Sequence, residues 1–451
     1  MGFAVSNSMA CVESLVYQDE TGGPLPRLAT AWEISPNGKA VTFTLRKGVR
    51  FHDGTDFNAE ALKFNFDRII AENDSIIQPV TSVDVIDTYT ARLNLSQFSN
   101  ALFNALAFGA IVSPWGIQKN GKDWARVNPV GTGPFKFVEF KPSVSIKWAK
   151  ADNYWDKGKP YLDAIEYEIV ADRTVASMAY QKGQVHILTQ TSEQIASDLK
   201  AKGLNVVSRP QNINYFACDS ANSDSPFYNK KVREALEYAI DKQKLVGAVG
   251  YGFLQTTSQL CTPQTTGYNP DVKGRPYDPA RAKQLLAEAG YPTGFKTKLM
   301  AQNSANQEIV VALQTFLKEV GIDAAVDLFD ASRWTDTRYK GWKNGIMLTG
   351  SGTDLNMNQR LVADLATTAT AYPCVARPAQ WQAVLDQSVA ARDSETRKAK
   401  IQQLMKMVSD EAFLTPIWIG YALAAMQKNV NCDFLLRHHI EWRPGDAWLG
   451  Q

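Results

Sequence analysis

Apolar and polar residues alternate with a period of two early in the chain and recur three to four residues apart later, so strands are predicted first and helices after them. Trp32 and Ile34 alternate with Glu33 and Ser35, Pro36-Asn37-Gly38 supplies a turn, and Val41, Phe43 and Leu45 alternate with Thr42, Thr44 and Arg46. That is the pattern of a hairpin that buries one face. A second hairpin is predicted from Phe135 to Phe140, across Lys141-Pro142-Ser143, and on through Val144, Ile146 and Trp148. Ile165, Tyr167 and Ile169 mark a third alternating strand. Further on, Val232, Leu236 and Ile240 fall four apart between Asn229 and Asp241, the spacing of an amphipathic helix. Asp278 and Pro279 open a helix that runs to Ala289 and stops at Gly290, with a capping acid, a first-turn proline and a terminal glycine. Ile309, Leu313, Phe316, Leu317 and Val320 predict a helix ending at Gly321, and Ile401, Leu404, Met405 and Val408 predict another near the end. Strands alternating with helices point to an α/β class. The polar stretch Ser208 to Asn214 is the expected crossing between domains, with a return near Trp418 to Gln427.

A chain of 451 residues has room for two to four domains of roughly 100–200 residues each. Lys plus Arg number 48 and Asp plus Glu 46, a formal charge of +2, too balanced for a protein held to nucleic acid by phosphate neutralisation. The nearly apolar stretches Ala101 to Val112 and Phe413 to Met426 carry Asn104, Thr415 and Pro416, and both fall short of the roughly 18 residues of a membrane-spanning helix. Cys11, Cys218, Cys261, Cys374 and Cys432 form no CxxC, which removes zinc ribbons and dithiol redox motifs and leaves their pairing open.

No motif that carries a known chemistry is complete in this chain. GIQKNGKD at 116–123 nearly matches a phosphate-cradling loop, but Asp123 stands where a hydroxyl is required and would repel phosphate. The glycine pairs at 131–133 and 250–252 lack the third glycine of a dinucleotide loop. No HExxH or GxSxG occurs, and the adjacent His438 and His439, near Glu441, would point to opposite faces of a strand. No metal, cofactor or catalytic group is therefore expected. Among the aromatic residues, Trp115, Trp334 and Trp381 fall in predicted loops or element ends and are candidates for lining a ligand cleft. Trp32 and Trp148, on alternating strands, are assigned to the core.

Residues 26–67 read PRLATAWEISPNGKAVTFTLRKGVRFHDGTDFNAEALKFNFD. This resembles the family-5 extracytoplasmic solute-binding proteins of ABC importers, the dipeptide, oligopeptide and nickel binders, whose hallmark is P-x-LA-x-x-W followed by F-x-LR-x-GV-x-(F/W)-HDG. Four further family blocks follow in order: VGTGPFKF at 130–137, NYWDKGKPYLD at 153–163, PFYNKKVREALEYAID at 226–241 and YDPARAKQLLAEAGYPTGF at 277–295. The resemblance implies an α/β, two-lobed periplasmic-binding-protein fold of type II, in its large three-subdomain form, with the ligand between lobes that close on it. Lobe I would comprise 1–207 plus 424–451, with the smaller subdomain inserted, and lobe II 208–423. Family members open with a strand and a Pro-rich loop before the helix that MACVESLVY at 9–17 resembles. The implied whole protein is exported, to the periplasm or to a lipid anchor on the outer face of the cytoplasmic membrane, as a monomer that docks on permease subunits and not on nucleic acid. Bridges among the cysteines would be compatible with export.

Peptide binders of the family carry a loop GW-x-(G/A)-D whose acid holds the ligand's α-ammonium, and GSGTD at 350–354 places Asp354 at that acid. A carboxylate 4 Å from an ammonium gains about 4 kcal/mol at an effective dielectric near 20, before desolvation. A turn or helix cap is the other role open to Asp354. Ser351 replaces the family's Trp, and Leu355-Asn356-Met357-Asn358 replaces its Asp-Pro continuation, so Ser351 and Asn356 join the ligand-binding candidates and favour a bulkier or more hydroxylated ligand than a plain dipeptide. Ser6, Asn7, Tyr215, Arg333 and Trp334 are further candidates, because family loops around them face the cleft. The implied function is binding, without catalysis, of a peptide or an amine-bearing, opine-like conjugate for import. An oligosaccharide or a nickel chelate in the same fold is the alternative, and a cleft hydrolase using paired carboxylates a distant one.

Overall fold

The predicted hairpins form where their turns demand them. In the computed structural model, which describes residues 10–19, 21–72, 77, 79–434 and 442–450, Gly38 takes φ 69° and joins strands Ala29–Ile34 and Ala40–Leu45, with Trp32 opposite Phe43 and Ile34 opposite Val41. Thr90–Leu95 and Val80–Asp87 extend them to a four-stranded antiparallel sheet. Helix Ala59–Ala71 supplies Leu62 and Phe66 to the same core as Val41, Phe43 and Leu93, and begins where Asn58 Oδ1 accepts the Ala61 N–H at 3.0 Å. The second hairpin, Phe135–Lys141 and Ser145–Lys150, is completed by Ala164–Glu168 into a separate three-stranded sheet. Trp148 and Phe135 are buried there.

The chain divides into two compact units, Met1–Arg209 with Leu423–Gln451, and Pro210–Ala422. It passes between them within two long strands, Asn205–Cys218 and Leu414–Met426. Of the two nearly apolar stretches, one is helix Ala101–Phe108 and the other is the second of these strands. No helix among the described residues is long and apolar enough to cross a membrane.

In the first unit one carboxylate gathers four of the sequence blocks. Glu13 is 1% exposed and accepts hydrogen bonds from Thr132 Oγ1 at 2.8 Å, Tyr154 OH at 3.0 Å and Trp155 Nε1 at 2.8 Å. Arg27 Nε stands 3.5 Å from Oε1, the oxygen that also accepts from Tyr154. Burying an ionised carboxylate is costly unless charge and hydrogen bonds compensate it, and here the compensating groups come from three separate segments, at Arg27, Thr132 and the pair Tyr154 and Trp155. The glycines of VGTGPF serve the same region: a Cβ on Gly131 would meet Cys11 O at 2.2 Å, and one on Gly133 would meet Cys11 C at 2.7 Å. They are close-approach positions, and the block's Gly133 and Phe135 N–H groups pair with the Cys11 and Ala10 carbonyls.

The second unit is built on one sheet in the order Leu414–Met426, Asn205–Cys218, Gly345–Gly352, Phe295–Gln302, Ile322–Phe329. Ile213, Tyr215 and Ala217 face one core, closed by helices Asn358–Leu365, Trp381–Ala390 and Ser394–Glu411. Phe216 and Cys218 face the other, closed by Lys230–Ala239, Lys242–Val249, Pro279–Glu288 and Gln307–Glu319. Arg233 of the VREAL block donates to four carbonyls, those of Phe227, Tyr228, Glu411 and Ala412, tying helix Lys230–Ala239 to the end of helix Ser394–Glu411. The five cysteines carry free thiols; burial pushes that of Cys11 up to about 12.

Two outcomes follow. Glu13→Ala leaves the Arg27 guanidinium buried without its acid, so the unfolding free energy of the first unit should fall by about 3–5 kcal/mol; an unchanged denaturant midpoint contradicts the hub. His52 Nε2 lies 2.8 Å from Gly133 O, and burial lowers its pKa below the ordinary 6.5. The unfolded chain therefore takes up a proton first as pH falls. The His52 contribution is complete above about 6.5 and is lost on acidification through the folded value. Thermal melts from about pH 7.5 to 5.5 should decline more steeply for the wild type than for His52→Gln, and equal slopes would contradict this.

Candidate functional site

Strand Asn205–Cys218 lies between Leu414–Met426 and Gly345–Gly352. Opposite the last of these, Tyr215 faces Thr349, Asn214 faces Gly350, Ile213 faces Ser351 and Asn212 faces Gly352. The strand then hands over to the GSGTD loop, which stays clamped to it: Thr353 N donates to Gln211 O and Thr353 Oγ1 to Pro210 O, both at 3.1 Å. This clamp fixes where Asp354 emerges.

Asp354 is 2% exposed, and its Oδ2 accepts from Arg360 Nε at 2.7 Å. Arg360 sits on helix Asn358–Leu365, and its side chain is 42% exposed, so the buried acid is neutralised by a cation that reaches solvent. One helical turn later Asp364 pairs with Arg338. Burial raises the Asp364 carboxyl above its ordinary range, and the Arg338 and Arg360 charges oppose that rise. Arg338 lies 4.9 Å from the centroid of the Tyr372 ring, and the Tyr372 and Thr349 hydroxyls are 2.9 Å apart. Acid and base thus alternate from Asp354 through Arg360 and Asp364 to Arg338, each charge next to its opposite. The asparagines of the departing segment do local work: Asn356 Oδ1 accepts from Asn358 N at 3.1 Å, while Asn358 and Ser388 exchange hydrogen bonds of 2.8 and 3.1 Å. Together they seat the first turn of the helix that carries Arg360.

The remaining candidates scatter. Ser351 is buried on the sheet close to the clamp. Tyr215 and Trp381 lie in the core: both are fully enclosed, Trp381 edge-to-face with Phe413 and donating Nε1–H to Leu365 O at 2.8 Å. Tyr215 alternates with Asn214, so placing one on the solvent-reaching face puts the other inside. Arg333 is exposed and holds Asp327 through two hydrogen bonds of 3.0 and 2.8 Å. Trp334, beside it on helix Ala331–Lys340, is half-buried against the core. Trp115 belongs to the first unit, 45% exposed, with Lys119 Nζ 4.4 Å from its ring. Ser6 and Asn7, like His438 and His439, lie outside the described residues. No cluster of three or more His, Cys, Asp or Glu suited to a metal occurs among the described residues.

Sequence reasoning missed Arg360 and the pair Asn212 and Asn214. Arg360 is legible only once Asp354 is known to be buried. The Asn-Ile-Asn-Tyr alternation was visible, but its face could be assigned only from the partner strands. What the site offers is a shielded negative charge balanced by a cation that reaches solvent.

Comparison with known proteins places the chain in a family. The family model described as bacterial extracellular solute-binding proteins, family 5 Middle, matches residues 23–372. The glutathione-binding protein GsiB of Salmonella typhimurium is 34% identical over 337 residues, covering 72% of this chain and 65% of the relative, so the chain spans less than two thirds of that relative's length. Among solved structures, the PBP AgaA in complex with agropinic acid, from A. tumefaciens R10, superposes with a TM-score of 0.81 at 25% identity, covering 99% of this chain and 94% of that one. The periplasmic binding protein DppA of Helicobacter pylori, in complex with the peptide STSA, has the same fold at a TM-score of 0.83 and 23% identity, covering 100% and 96%. With most of its length matched by the family model, the chain belongs to family 5 of the bacterial extracellular solute-binding proteins.

Proposed function

We propose that this chain is the extracytoplasmic solute-binding component of an ABC importer, taking up a peptide or another amine-bearing amino-acid conjugate and delivering it to membrane permease subunits. The observation that carries the ligand class is the buried carboxylate of Asp354, held at the end of the sheet with a side-chain cation against it. A ligand ammonium can take the place of Arg360 at that carboxylate, because Arg360 is exposed enough to swing into water while Asp354 stays shielded, where its charge acts at lower effective dielectric. GsiB is named for glutathione, a peptide with a free amine, and that name fits this class. In this reading binding is reversible, no bond is made or broken, and the protein acts as a monomer in the periplasm or tethered to the outer face of the cytoplasmic membrane. An oligosaccharide is less well served by Trp381, whose ring is enclosed in the core and gives no stacking surface.

Asp354→Asn keeps the shape and a hydrogen-bonding oxygen but removes the charge. Its affinity for glutathione and small free-amine peptides, measured by calorimetry, should fall tenfold or more, which corresponds to about 1.4 kcal/mol. An affinity equal to that of the wild type removes Asp354 from ligand recognition and leaves it a structural partner of Arg360.

A further inference from the structure

The face of the sheet that buries Phe216, Cys218, Ile346 and Leu348 under helices carries Asn214 and Asn212 farther along. Both are half-buried, and neither carboxamide has a hydrogen-bond partner among the described residues. Beneath them the flanking strands present glycine. A Cβ on Gly420 would lie 2.3 Å from Asn212 Oδ1 and 3.5 Å from Asn214 Nδ2. A Cβ on Gly350 would lie 3.2 Å from Asn214 Oδ1 and 3.7 Å from Asn212 Nδ2. Each carboxamide therefore reaches toward both neighbouring strands, and the two lie flat, side by side, in space that any larger residue at 350 or 420 would take. Glycine inside a strand costs roughly 0.5–1 kcal/mol relative to alanine and marks a place where something approaches the backbone closely. Here the close groups are the two amides.

We infer that Asn212 and Asn214 form a subsite for an amide group of the ligand, either a peptide bond or a primary carboxamide; this rests on the solute-binding reading above. Each Asn offers two N–H donors and a carbonyl with two lone pairs, and the pair bears no net charge. A carboxylate brings only acceptors and would set its lone pairs against the Asn oxygens. An ammonium brings only donors and leaves the Asn N–H groups unanswered. A secondary amide brings one donor and one acceptor held rigidly apart, and so engages both halves of the platform at once. Because unsatisfied polar groups are costly once water is displaced, the platform discriminates against ligands that lack either half.

Calorimetry with alanyl-alanine and with its N-methylated counterpart, whose peptide nitrogen carries no proton, tests the assignment on the full chain. The wild type should bind the parent dipeptide at least tenfold more tightly than the N-methyl form. Asn212→Ala/Asn214→Ala should lose that preference while its melting temperature stays within a few degrees of the wild type. Gly420→Ala, which displaces the Asn212 amide without deleting it, should weaken the preference in the same direction and serves if the double variant does not fold. Dipeptide binding with an unchanged preference in both variants overturns the subsite and leaves the solute-binding reading intact. Failure of the wild type to bind alanyl-alanine and glutathione alike overturns the ligand class and the subsite with it.

Discussion

A strand covered on both faces can carry polar side chains only where its cover ends, and the whole second unit is organised around one strand under that constraint. Along Asn205–Cys218 the residues from Ile213 to Cys218, apart from Asn214, are apolar or aromatic and feed two separate cores. Toward its other end the outward positions turn to Asn214 and Asn212, the neighbouring strands turn to glycine, and the GSGTD loop closes over the edge through Thr353. The candidate site is thus the place where burial stops, and its polar character follows from geometry before any ligand is considered.

Buried charge obeys the same rule. Glu13 in the first unit and Asp354 in the second are both almost fully enclosed, and each is neutralised by an arginine. They differ in the consequence. Arg27 is itself buried and Glu13 is surrounded by three hydroxyl or indole donors, an arrangement with no opening for exchange. Arg360 reaches solvent, and under the function proposed above it is this exposed cation that a ligand ammonium replaces.

The elements were legible where local chemistry decides them. The Pro-Asn-Gly turn, the Asp278-Pro279 start and the glycines at 290 and 321 each required a backbone state that only a few residues favour, and strands or helices formed around them as expected. Residues at tertiary contacts were harder. Tyr215 and Trp381 looked like ligand contacts because aromatic side chains suit both cores and clefts, and only the packing of three helices separates the two. Asp354 was identified through its loop, but its pairing with Arg360 depends on the turn that Asn356 and Asn358 build. The Asn212 and Asn214 platform depends on glycines more than 130 residues away in the chain, a relation no local pattern reports.

The central claim, that this protein binds a nitrogen-bearing conjugate and returns it unchanged, is tested most directly by native mass spectrometry of the purified protein followed by denaturation and identification of what is released. Tight binding implies slow release, so a ligand acquired during expression survives purification. The expected release is an intact compound, in up to equimolar amount, that carries both an amine and an amide. A sugar without nitrogen, a metal chelate, or the cleaved halves of a larger molecule would contradict it.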